Sequence, residues 1–267
     1  MIDELAAALE IDRRVRERAS TEVTPIPEGV VVRHPELWDV HYLNALILDP
    51  APDPPTAAEV AALADHWLGD LGHRHVVFDD AGAGERAAAG QPGWERRRTS
   101  FMVFTGDPRA VPRDPRARVI SEAEMETLQL AGLREEVPEA ATRAGLTERL
   151  AATQRVLRAG TPARCFGAGE AGGLQSMCTL FTDADVDGHR VAMVEEVGTL
   201  VAHRRRGLAR AVVGAAMTAA LAWDAELIVV PADADDWPQV MYAGLGFEPV
   251  GLQVSLTWRP RSAGGGL

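Results

Sequence analysis

The sequence has no lysine at all; every one of its 27 basic residues is an arginine. Such a chain cannot carry an acyl group on a lysine side chain of its own, and with Ala, Gly and Pro so frequent the bias reads as GC-rich coding. It also lacks any apolar run approaching the roughly 20 residues that cross a bilayer. The start, Met1-Ile2-Asp3-Glu4, has no basic region of the kind a secretory signal carries. The expectation is therefore no membrane contact and a cytoplasmic location. Cysteine is scarce: Cys165 and Cys178 show no CxxC spacing, which argues against a metal or redox motif. Both fall in neighbouring predicted strands, where buried free thiols are favoured over a disulfide. Positive charge is short too, and a net charge of −12 argues against a broad nucleic-acid face, because phosphate contacts need a basic surface.

What remains is an ordinary folded composition, with 46% hydrophobic and 25% charged residues. At 267 residues the length suits two domains.

The first half opens with a helix over 2–19, whose Leu5, Leu9, Ile11 and Val15 lie near one face. A turn is expected at Pro25-Ile26-Pro27-Glu28-Gly29, and strands over 30–33, 42–48 and 75–78. The intervening helix over 56–68 starts with a capping box, Thr56 and Glu59. The stretch from Thr105 to Arg118 is rich in proline and charge, breaks both helix and strand, and marks a linker at 107–116.

Beyond it, Ser121 and Glu124 form a second capping box. Helices follow over 121–133 and 147–158, and strands over 163–167, 174–183 and 190–201. A small-residue helix over 207–223, a strand over 226–231, a short helix over 237–245 and a last strand over 247–258 complete the series.

The chain is also similar to itself. At an offset of 153, Val76-Val77 meets Val229-Val230, Asp80 meets Asp233, Leu68 meets Leu221, and Gly93-Trp94-Glu95 meets Gly246-Phe247-Glu248. The order of elements matches on both sides, which points to tandem copies of one unit. In this register Arg204-Arg205-Arg206-Gly207-Leu208-Ala209 falls on Ala51-Pro52-Asp53-Pro54-Pro55-Thr56, and Tyr242 falls on Ala89. The first copy has lost every positive charge and the glycine, so it reads as a scaffold.

The strand-to-helix junction after Val201 is a ready anion site. Free N–H groups and the dipole of the starting helix favour negative charge there, and Gly207 lets the backbone approach a phosphate. The arginines add charge-assisted hydrogen bonds. The pattern R-x-x-G-x-A, filled by Arg204, Gly207 and Ala209, resembles the acetyl-CoA pyrophosphate loop of the GNAT (GCN5-related N-acetyltransferase) superfamily. A second signature, Y-x-x-x-G-F, is present as Tyr242-Ala243-Gly244-Leu245-Gly246-Phe247. The resemblance spans residues 117 to 258 in element order. It implies an α/β (α+β) fold of two tandem GNAT-like mixed-sheet domains with flanking helices: a degenerate copy at 1–106, the linker, an acetyltransferase domain at 117–261 and a tail at 262–267.

The same resemblance implies acetyl-CoA as cosubstrate, a small amine as acceptor, and no metal. Val197, Gly198 and Thr199 would pair with the pantetheine arm as an added strand. Arg204, Arg205, Arg206, Gly207, Leu208, Ala209 and Arg210 would hold the pyrophosphate. Tyr242 would protonate the departing thiolate, and Glu195 or Glu196, or a water, would accept the proton of the amine. Strand alternation sends those two carboxylates to opposite faces. The chain departs from the family pattern at Val201, where proline is frequent, and at Asp235, where asparagine is usual; an ionised Asp235 could accept but not donate a hydrogen bond to pantetheine.

A monomer or homodimer is expected. Two other readings stay open: a non-catalytic acyl-CoA-binding module, and an acetyltransferase of the kind found in mycothiol synthase, which is also a tandem protein with one degenerate half. The acceptor would be read by the segment from Leu133 to Thr147, where Glu135-Glu136 either attract a cation or solvate a loop.

Overall fold

A computed structural model describes residues 2–91, 93–136, 145–170 and 173–260. The tail at 262–267 and most of the expected acceptor-reading segment lie outside the described residues. In chain order the elements are α1 (Glu4–Ala19), β1 (Glu22–Ile26), β2 (Gly29–Arg33), β3 (Ala45–Leu48), α2 (Ala57–Leu68), β4 (Arg74–Phe78), α3 (Ala81–Ala89) and β5 (Glu95–Phe104). They continue with β6 (Ala117–Val119), α4 (Glu122–Glu136), α5 (Leu146–Gly160), β7 (Ala163–Glu170), β8 (Gly173–Val186), β9 (His189–Thr199), α6 (Leu208–Ala222), β10 (Leu227–Asp233), α7 (Pro238–Ala243) and β11 (Phe247–Trp258).

The chain divides into two compact units, neither continuous in sequence. The first joins residues 1–19 to 100–251, and the second joins 20–99 to 252–267. This cuts the chain elsewhere than the expected linker at 107–116, which lies inside the first unit and carries a short 3-10 turn at Pro108–Ala110. Two causes are visible. The opening helix α1 packs on α5, β8 and β9, so it belongs with the C-terminal residues. Strand β11 ends beside β4, pairing antiparallel from Val254 with Phe78 to Trp258 with Arg74.

In the second unit β1 and β2 form a hairpin, β2 and β3 pair antiparallel, and β3 and β4 run parallel. Val31, Leu46, Leu48, Val76, Phe78, Val254 and Leu256 form its core under α2 and α3. The turn expected at 25–29 is shorter than anticipated: Pro25 lies next to the end of an edge strand, opposite Val30, a place where its missing N–H is harmless. The strand expected over 42–48 begins only at Ala45, because residues 41–43 wind into a 3-10 turn. The capping box at Thr56 forms, with the Glu59 N–H donating to Thr56 Oγ1 and the Thr56 N–H to Glu59 Oε2.

In the first unit β9 runs parallel to β10 and antiparallel to β8, which pairs in turn with β7. Helix α6 covers one face of this sheet. Its buried Leu208, Ala211, Val212, Val213, Ala216, Met217 and Ala220 pack on Phe166, Cys178, Leu180, Ala192, Val194 and Ile228. Small residues allow the close fit: a Cβ on Gly214 would stand 2.5 Å from the Pro112 carbonyl oxygen. Strand β6 begins directly after the stretch expected to be linker and pairs with β7. Cys165 and Cys178 are both free and buried.

The duplication holds in element order. From β3 through α2, β4 and α3 to β5, each step matches the series β9, α6, β10, α7 and β11.

Candidate active site

Strands β9 and β10 pair only from Val191–Met193 with Leu227–Val229. Beyond Met193, β9 is hydrogen-bonded on its β8 side, where the register also slips. Met177 faces Gly198 while Thr179 faces Glu195, so three steps of β9 meet two of β8. Glu196 sits in this bulge at a φ of 58°, the left-handed conformation that one type of bulge gives to a glycine and that is taken here by a glutamate. The opening left between the strands leaves half-buried Val197, Gly198 and Thr199 without a β10 partner along one edge. Ser176 Oγ holds the edge from behind, donating to the Gly198 carbonyl at 2.8 Å.

The bulge also overturns the expected alternation of the two glutamates. Glu196 turns toward α4 and α5. Its carboxylate accepts from Gln129 Nε2, from Arg158 Nη1 at 3.1 Å and from Thr179 Oγ1 at 3.0 Å. Glu195 lies beside α1 of the same helical layer, where the charges of Asp12 and Arg16 act on it. Its one hydrogen bond among the described residues is accepted from the Glu196 N–H at 3.0 Å. Burial, followed by the repulsion of Asp12, pushes the Glu195 carboxyl up to about 7. Burial raises Glu196 as well, against its donors Gln129 and Thr179 and the charge of Arg158.

Tyr242 closes the other side of this region. It is 5% exposed and packs edge-on against Phe247 with ring centroids 6.1 Å apart. Burial and the negative charge of Glu195 raise its hydroxyl well above the usual range, so it stays protonated.

Downstream, Gly207 opens α6 in the left-handed conformation, at a φ of 78°. The first hydrogen bond of α6 runs from Ala211 N–H to the Gly207 carbonyl. The N–H groups of Leu208, Ala209 and Arg210 lie ahead of it, at the positive end of the helix. Arg205 also has a positive φ, of 63°, and its exposed side chain makes no ion pair among the described residues.

The other arginines are engaged. Arg204 pairs with Glu136 and donates to the Thr199 carbonyl at 3.1 Å. Arg206 pairs with Glu170 at 3.1 Å, and Arg210 donates to the Gly244 carbonyl at 3.1 Å. Asp235 is exposed, its N–H held by Asp233 Oδ1. The sequence reading missed the partners that organise this loop. Arg116, inside the expected linker, donates to the Arg206 carbonyl at 3.2 Å and pairs with Glu170. Glu135 accepts the Val201 N–H at 2.8 Å, so the Glu135-Glu136 pair braces the loop between β9 and α6. His203 is half-buried, with its Nδ1 sealed from solvent and no partner for it among the described residues.

Taken together, the edge of β9, the start of α6, Glu195 and Tyr242 form one constellation within the first unit. An extended ligand could pair with the edge, an anionic group could rest on the N–H groups of α6, and the two titratable side chains lie where the chain parts. No cluster of His, Cys, Asp and Glu able to hold a metal ion is found among the described residues.

No family model matches the sequence, and a search of curated proteins finds no match. Solved structures do match. A conserved protein of unknown function from Staphylococcus epidermidis ATCC 12228 superposes with a TM-score of 0.64 at 12% identity, over 91% of this chain and 95% of its own. A GCN5-related N-acetyltransferase from Kribbella flavida gives 0.59 at 21% identity, over 96% of each chain. A tandem GNAT protein from the clavulanic acid biosynthesis pathway gives 0.50 at 20% identity, over 77% of this chain and 69% of its own. These likenesses show the fold: the chain has the fold of the GCN5-related N-acetyltransferases.

Proposed function

We propose that the protein transfers an acetyl group from acetyl-CoA to a primary amine of a small molecule, and that the working copy is the first unit, with the N-terminal repeat a degenerate scaffold. The observation that carries this reading is the junction of β9 and α6, where a strand edge without a β10 partner leads through arginines into a helix opened by left-handed Gly207. The cosubstrate fits what is present. Val197, Gly198 and Thr199 offer strand-like hydrogen bonds to the pantetheine amides. The N–H groups of Leu208, Ala209 and Arg210, together with Arg204, Arg205 and Arg206, offer the pyrophosphate its donors. Asp235 accepts a hydrogen bond at the margin of the same site. No metal takes part in this scheme.

Glu195 serves as the base. One of its carboxylate oxygens is engaged by its own neighbour, and its pKa near 7 suits proton transfer at neutral pH. Glu196, gripped by three donors, supports the fold. The amine gives its proton to Glu195 as the new C–N bond forms. The C–S bond breaks, and the thiolate takes the Tyr242 proton. Exchange with solvent then returns Glu195 and Tyr242 to their starting states. The fold alone does not choose the acceptor; a cytoplasmic monomer or homodimer accompanies the reading.

Binding is tested by thermal unfolding with coenzyme A alone. The parent chain should gain stability as coenzyme A is added, and Gly207→Glu, which puts a carboxylate where the phosphates would rest, should not. Equal shifts in both proteins, or none in the parent, would remove the pocket.

A further inference from the structure

Helix α1 precedes the whole N-terminal repeat in sequence, yet it is built into the first unit. Arg14 and Arg18 reach Asp183 of β8 at 3.7 and 2.8 Å, and Arg14 also donates to the Asp185 carbonyl at 2.5 Å. At the other face Gly160 lets α5 come so close that a Cβ there would stand 2.6 Å from the Arg18 carbonyl oxygen. The buried face of α1 includes Ala8, Ile11, Val15 and Ala19, and with them two charged residues, Asp12 and Arg16. These two form an ion pair of 3.1 Å, with their side chains 7% and 4% exposed.

A buried ion pair costs desolvation that apolar residues of similar size would avoid. An aliphatic pair would continue the stripe that Ile11 and Val15 begin. The pair instead lies where α1 packs on β9, beside Glu195.

We propose that α1 is a working part of the catalytic centre, with Asp12 a positioning residue that sets the ionisation of Glu195 and Arg16 the counter-ion that holds Asp12 in place. This rests on the reading of Glu195 as the base. The charged groups facing Glu195 are Asp12 and Arg16 from α1 and Glu196 from its own strand. Tyr242 stands near from α7, Thr179 lies opposite on β8, and Arg158 of α5 is taken up by Glu196 and Glu122. Among these charges Asp12 acts on Glu195 most strongly, ahead of Glu196 and Arg16. A carboxylate that repels Glu195 keeps it a base of near-neutral strength; without Asp12 it would be a weaker base, ionised at lower pH.

The test uses Asp12→Asn and has two readouts. In acetyl transfer to whichever amine is accepted, the rising limb of kcat/KM against pH should move down by about one unit, with the KM for acetyl-CoA unchanged. Asp12→Glu should restore the limb. The second readout needs no turnover. The free energy of urea unfolding, measured from pH 4 to 8 in parent and Glu195→Gln chains, isolates the contribution of Glu195, and the same pair in an Asp12→Asn background should show that contribution at lower pH. If no amine is acetylated, the functional reading fails while this second readout still decides the role of Asp12. Should Asp12→Asn not fold, Asp12→Asn with Arg16→Gln removes both charges and should move the same curve in the same direction by less. A limb and an unfolding curve that both stay put would overturn the proposal.

Discussion

Glu195 and Glu196 are adjacent in sequence and opposite in circumstance: the carboxylate of the first accepts the N–H of the second at 3.0 Å, while the carboxylate of the second is held by Gln129, Arg158 and Thr179. The bulge at Glu196 makes this possible by turning two successive side chains toward one helical layer. One glutamate is thereby spent on structure, and the other is the one proposed for proton transfer.

Removing Glu196 should therefore be a stability lesion. In Glu196→Ala the Arg158 guanidinium, 2% exposed, loses its buried carboxylate partner and keeps Glu122 and a 3.4 Å hydrogen bond to Gln129 Oε1, while Gln129 Nε2 and Thr179 Oγ1 lose their acceptor. The expected cost is about 3–5 kcal/mol in urea unfolding at pH 7. A loss below about 1 kcal/mol would mean that the network contributes little.

The Glu136–Arg204 contact predicts the opposite sign for a different carboxylate. Glu136 occupies an arginine that the phosphates would need, so Glu136→Gln should free Arg204 and tighten coenzyme A binding. Exposed pairs are worth up to about 1 kcal/mol, which caps the gain at roughly fivefold in Kd by calorimetry. Weaker binding in the variant would show that Glu136 orients Arg204 instead.

The second unit carries a separate pH dependence. The His41 and His73 rings lie tilted against each other with centroids 4.3 Å apart, beside His75 and Arg259. Burial, then the positive charge of its neighbours, drives His41 down to about 3, against a small opposing pull from Asp39. Burial lowers His73 as well. Both resist protonation in the folded chain, so below about pH 6.5 the unfolded chain takes up protons more readily than the folded one. Stability should be full above pH 7 and fall steadily from 6.5 toward 4. Replacing His41 and His73 together by glutamine should flatten this fall; an unchanged slope would place the acid sensitivity elsewhere.

Much of this was legible in the sequence because the signals were local. The capping boxes at Thr56 and Ser121, the glycine that opens α6 and the repeat at an offset of 153 each depend on a few residues at fixed spacing. What escaped depends on residues far apart in the chain. Nothing in Glu4–Ala19 says that the helix packs on β9, 170 or more residues later, and nothing in Phe247–Trp258 says that its end pairs with β4. Arg116 was hidden by prolines that read as linker. The bulge at Glu196 puts its left-handed φ on a glutamate rather than on the nearby Gly198, and strand alternation was the wrong guide to where that carboxylate points.

The most direct test of the account is release of coenzyme A thiol from acetyl-CoA, followed with a thiol reagent across a panel of small primary amines, for the parent chain and for Tyr242→Phe. The account predicts amine-dependent release by the parent, rising as pH passes through about 7 where Glu195 ionises. It predicts a loss of 10²-fold or more, on the order of a removed general acid, in Tyr242→Phe with an unchanged unfolding midpoint. Release that ignores the amine, or a Tyr242→Phe rate equal to that of the parent, would contradict it.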